Sequence, residues 1–85
     1  MMNNNKILIQ LYVPLIEEEY DVFIPINKRV GTIKQLLEKS ISEQSNGYVI
    51  SQDTNLYSKD TGIVYDVQVL VKDTDLKNGS RVVLL

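Results

Sequence analysis

The strongest constraint on this chain is one stretch, Thr32 to about Gln44, the only segment whose apolar residues recur at helical spacing. Ile33, Leu36, Leu37 and Ile41 stand at i, i+3, i+4 and i+8, which predicts one buried stripe, with Lys34, Gln35, Glu38 and Lys39 turned to water. Thr32 offers a hydroxyl as N-cap, Val30 can fold back on the stripe, and Asn46-Gly47 supplies a stop signal. Such a helix is marginal alone in water. At ~1.5 to 3 kcal/mol per fully buried apolar side chain, it becomes stable by docking on something apolar. Changing Leu36 to Asp is expected to unfold the chain, because it would bury an unpaired charge.

Nearly everything else reads as strand, so the docking surface is a sheet. From Ile7 to Val13 the odd positions Ile7, Ile9, Leu11 and Val13 are wholly apolar and should meet the helix, while Leu8, Gln10 and Tyr12 face away. Glu17-Glu18-Glu19 makes an acidic tip. Tyr20 to Ile26 forms a second strand with Val22, Ile24 and Ile26 inward and Phe23 outward. Pro25 cannot donate to a ladder, so this strand is an edge. Beyond the helix, Tyr48-Val49-Ile50 reads as helix exit or short strand, Asn55 to Ser58 as strand, Lys59 to Gly62 as turn, and Ile63-Val64-Tyr65 as a short strand. Asp66 to Val71 is either a strand or an irregular crossing whose Val69 or Leu70 plugs the core. Asp75 to Gly79 is a turn, and Arg81 to Leu85 closes the chain as an apolar strand. Residues 1–5 are polar and expected to be a disordered tail, leaving 6–85 as one domain. This order predicts an α+β fold, a mixed sheet of four to five strands with one helix packed across one face. Its first and last strands lie parallel in the middle, since the long connection between them provides the crossover.

Composition narrows the chemistry. The chain has no Cys and no His, which removes thiolate and imidazole nucleophile pairs, nearly all zinc sites and the side chain best suited to proton transfer near neutral pH. No catalytic residue, cofactor or metal ligand is expected. A formal charge of -2 with nine Lys and Arg spread along the sequence argues against nucleic acid and against anionic membrane surfaces. The run Ile7 to Val13, interrupted by Gln10, is too short for membrane insertion, so the expected location is the cytoplasm.

The hairpin, the helix, the Leu56-Tyr57-Ser58 strand and the closing stretch from Asp75 to Leu85 resemble the ubiquitin-like β-grasp superfamily. In that superfamily an Ile or Leu before the last strand plugs the core, a place Leu76 occupies here. The stretch from Leu76 to Leu85 is similar to the YukD/EsaB group of bacterial ubiquitin-like proteins, which implies an accessory role in type VII (WXG-substrate) secretion. Ubiquitin-like modifiers and sulfur carriers act through a flexible diglycine tail. This sequence stops at Leu85, inside its last strand, so the expectation is non-covalent docking; the alternative is a modifier or sulfur carrier whose tail lies beyond the given sequence.

Carboxylates at Glu17, Glu18, Glu19 and Asp21 lack the spacing of a calcium loop and read as a solvated hairpin tip. Asp73-Thr74-Asp75 reads as turn capping, and Lys59 to Gly62 carries no phosphate-loop pattern. The candidate site is apolar. Leu8, Tyr12, Phe23, Val83 and Leu85, joined by Tyr57, are expected to form a contiguous patch on the sheet face away from the helix, with Arg81 at its rim to orient an acidic protein partner. The bland alternative is a scatter of surface residues, or a face covered by self-association.

Overall fold

The apolar odd face of the first strand turns inward, and the remaining elements assemble upon it. The computed structural model describes residues 5–44 and 53–85. Strand β1 (Lys6–Val13) buries Ile9, Leu11 and Val13. A 3₁₀ turn at Pro14–Ile16 and Glu17, held in the left-handed region at φ 53°, reverse the chain into β2 (Glu18–Pro25). β2 runs antiparallel to β1, with Ile7 opposite Ile24 and Leu11 opposite Tyr20. The helix α1 (Val30–Gln44) follows, then β3 (Leu56–Ser58), a 3₁₀ turn at Val71–Asp73, and β4 (Arg81–Leu84). Among the described residues the sheet has four strands in the order β2-β1-β4-β3, with β4 parallel to β1 and β3 antiparallel to β4.

The core lies between helix and sheet. Val30, Ile33, Leu37 and Ile41 meet Ile9, Leu11, Val13, Ile24, Leu56, Val82 and Leu84 there. The stripe is therefore i, i+3, i+7 and i+11 from Val30. Leu36 departs from the expectation. It sits about 100° round the helix from Leu37 and is 55% exposed, so Leu36→Asp would place its charge in water rather than in the core.

The helix also starts earlier than Thr32 suggests. The Val30 N–H donates to the Val69 carbonyl at 2.9 Å and the Gly31 N–H to the Val67 carbonyl at 3.0 Å, so two first-turn donors are satisfied by backbone far along the chain. Thr32 lies inside the helix. Gly31 permits this approach: a Cβ there would stand 3.2 Å from the Val67 carbonyl oxygen.

Residues 66–70 thus form the irregular crossing, and its core plug is Val71, 1% exposed, rather than Val69 or Leu70. The Val71 N–H donates to Lys28 O and the Lys72 N–H to Ile26 O, each at 2.9 Å, which seats the side chain inward. Leu76 packs half-buried against the same core. Ile63-Val64-Tyr65 makes only a single bridge, Tyr57 to Val64, and leaves Ile63 and Val64 exposed. The Asn46-Gly47 stop, the Tyr48-Val49-Ile50 segment and residues 1–4 of the expected tail lie outside the described residues. At residue 5 the sheet pairing already reaches Asn5, whose carbonyl accepts the Ile26 N–H at 2.8 Å.

Candidate functional site

Strand alternation sends Leu8, Gln10 and Tyr12 of β1 to the face away from α1, and cross-strand register arranges that face in rows. Leu8 stands opposite Phe23, which is 66% exposed. Gln10 stands opposite Asp21 and beside Arg81. Tyr12 stands opposite Glu19 and beside Val83, which pairs in turn with Tyr57. The expected apolar patch is divided. One island holds Leu8 and Phe23, the other Tyr12, Val83 and Tyr57, with exposed Leu85 farther along the last strand, and the row Asp21-Gln10-Arg81 runs between them. Arg81 is in that row rather than at a rim, and its guanidinium pairs with Asp60.

The second island carries a charge that the sequence pattern did not reveal. The Lys59 ammonium sits 5.2 Å from the centre of the Tyr12 ring and 3.8 Å from the Glu19 carboxylate. Lys59 arrives there because its N–H pairs with the Arg81 carbonyl, extending β3 past Ser58. The turn before β4 is clipped to the first island's strand: the Leu8 N–H donates to the Asn78 side-chain oxygen at 2.7 Å, and the Gly79 N–H donates to the Leu8 carbonyl at 2.8 Å. Gly79 does so at φ 89°, a conformation glycine adopts without strain.

Two polar groupings lie elsewhere. Glu38, 6% exposed on α1, accepts hydrogen bonds from Lys34 at 3.2 Å and from the Thr54 hydroxyl. The Tyr65 side chain shares a pocket with Asp75 and Ser58; burial, and then the Asp75 carboxylate, push its pKa above the ordinary tyrosine value. At the start of α1, Arg29 and Lys34 flank amides already engaged by Val67 and Val69. Among the described residues no three carboxylates gather as a metal site would need, and no helix is long and apolar enough to cross a membrane.

On the other side of the sheet edge, a groove of about 250 Å³ runs between β2 and α1, lined by residues that include Tyr20, Val22 and Phe23 of the strand and Leu37, Ser40 and Ile41 of the helix. Leu36, one turn before Ser40, stands exposed on the same side of α1.

No protein-family model and no curated protein matches the chain. Solved structures match it in shape. A chain of the MycP5-free ESX-5 inner membrane complex, State II, superposes with a TM-score of 0.77 at 14% identity over 95% of this chain, which spans 21% of that one. The EccD5 ubiquitin-like domain from Mycobacterium xenopi gives 0.76 at 10% identity, covering 94% of this chain and 92% of that one. A ubiquitin from Caldiarchaeum subterraneum gives 0.68 at 16% identity, covering 93% and 90%. The fold is the ubiquitin-like β-grasp. In this ubiquitin-like chain the last residue, Leu85, is held in the sheet, exchanging backbone hydrogen bonds of 3.0 and 2.9 Å with Asn55.

Proposed function

We propose that this ubiquitin-like chain is a non-enzymatic docking module that binds another protein without covalent attachment, as a cytoplasmic accessory or regulatory component of a bacterial type VII secretion system. The observation that carries the reading is the near end-to-end superposition on the EccD5 ubiquitin-like domain, beside that on a chain of the ESX-5 inner membrane complex. The divided outer face supports it physically. Its two apolar islands are separately small enough to stay in water, yet together with the intervening polar row they offer anchors and orienting groups on one surface.

Leu8 and Phe23 form the more exposed island, opposite each other across β1 and β2. Replacing both with Ser should cost ~1 kcal/mol or less in urea unfolding, since only a cross-strand surface pair is lost. The same variant should no longer co-purify with its partner from the native cell. Retained capture would remove these residues from the interface, and recovery of the chain covalently joined to other proteins would replace docking with the modifier reading.

A further inference from the structure

The turn that delivers β4 to the sheet is held on Leu8 by two groups that can also react with each other. Gln10 pairs with Arg81, and its N–H donates to the Ser80 carbonyl at 2.9 Å. Two residues back, the same parallel register asks Leu8 to donate to the main-chain carbonyl of residue 78. The Asn78 side-chain oxygen takes that place at 2.7 Å, and the Gly79 N–H returns a bond to the Leu8 carbonyl at 2.8 Å. Across residues 77–80 the Ser80 N–H closes a tight turn on the Lys77 carbonyl at 3.0 Å. Gly79, at φ 89°, has the sign that the third residue of a type II turn requires.

We infer that Asn78 is a site of spontaneous deamidation whose rate is set by how often this clip opens from β1. The reaction needs the two clip groups and water. The Gly79 nitrogen bonds to Asn78 Cγ as the Cγ–Nδ2 bond breaks, and Nδ2 departs as ammonia with the proton that Gly79 gives up. Water then opens the cyclic imide. Cleavage at Cγ leaves aspartate; cleavage at the main-chain carbonyl leaves isoaspartate, with an extra methylene in the backbone. Glycine hinders this attack least, because no Cβ stands beside the nitrogen, and both residues are exposed, so water has access. The closed clip opposes the reaction. The attacking nitrogen must shed the proton it shares with Leu8, and Cγ must turn away from the Leu8 amide to meet it, so both hydrogen bonds are given up first. Local opening therefore gates this chemistry as it gates hydrogen exchange. The two products differ in consequence. Aspartate keeps an oxygen for the Leu8 N–H, whereas isoaspartate lengthens the main chain and puts Gly79 and Ser80 out of step with Leu8 and Gln10, loosening the β1–β4 seam at that end.

The test compares the intact chain with a capped peptide, Leu-Lys-Asn-Gly-Ser-Arg, at one mildly alkaline pH, using peptide mapping that separates this site from the other Asn-Gly pair at 46–47. Conversion at Asn78 in the folded chain should run about tenfold or more slower than in the peptide, and the ratio should match, within about threefold, the open fraction read from hydrogen exchange at the Gly79 amide. Ser80→Ala, which removes the acceptor of the Lys77 N–H, should speed conversion about threefold or more in the chain and leave the peptide's rate unchanged. In the aged chain the isoaspartate form should exchange its Leu8 amide about tenfold or more faster than the unaged chain, while Asn78→Asp should stay within about twofold of wild type. Equal rates in chain and peptide, no conversion in the chain by the time its own exchange requires it, a Ser80→Ala rate like the wild type's, or unaltered Leu8 exchange in the isoaspartate form would each overturn the inference.

Discussion

At the scale of single residues, polar side chains near the core take partners both within one helical turn and farther along the chain. Glu38 reaches Lys34 one turn back and Thr54 across the fold, and Tyr65 shares a pocket with Asp75 and Ser58. The sequence pattern assigned Glu38 to water because it falls off the apolar stripe; burial arises from the segment carrying Thr54, which no local spacing announces. Tyr65 gives a pH prediction with a definite sign. Its pKa in the fold is raised, so the fold favours the neutral phenol, and that stabilisation is complete below the unfolded value near 10 and lost as pH climbs through the folded value. Urea unfolding of the wild type and of Tyr65→Phe, followed from about pH 8 to about pH 12, should show the wild-type advantage shrinking above about pH 10. A pH-independent difference would dissociate Tyr65 from the alkaline loss.

At the scale of elements, β1 and β4 were legible because two-residue alternation fixes which face is apolar, and Ile9, Leu11, Val82 and Leu84 are all buried as that pattern requires. The helix was legible in its body but not at its start. Thr32 is a good local cap, yet the donors at Val30 and Gly31 found carbonyls of residues 69 and 67, and a long-range partner outranks a side-chain cap that sequence can display. The same crossing explains why residues 66–70 are not a strand: the Val67 and Val69 carbonyls serve the helix instead of a ladder. Leu36 was misplaced because its spacing fits Ile33 as well as Leu37 does; only the docked helix, turned toward Val30, separates them. Leu36→Asp should therefore change unfolding free energy by no more than about 0.5 kcal/mol, whereas Leu37→Asp should cost more than about 4 kcal/mol in the same urea titration. Equal losses at the two positions would mean that α1 docks through a broader face.

At the scale of the whole molecule, the outer face shows where sequence reading stops. Alternation placed Leu8, Tyr12, Phe23, Val83 and Leu85 on one side, but whether they touch depends on register, and register sets Gln10 between Asp21 and Arg81. That polar row keeps the islands apart. Replacing Gln10 and Arg81 together with Leu should fuse them while sparing the fold, since the Arg81 to Asp60 pair is exposed and contributes little. Sedimentation of this variant should show concentration-dependent association that the wild type lacks. A strictly monomeric variant would mean the row is not what limits stickiness.

The parallel seam between β1 and β4 carries a consequence in time rather than in space. Gln10 and Arg81 are neighbours there, though a ribosome releases one tens of residues before the other. Until β4 emerges, Ile9 and Leu11 have no companion strand on that side, and the nascent hairpin and helix must wait with greasy surface uncovered. Closure of this sheet therefore waits on β4.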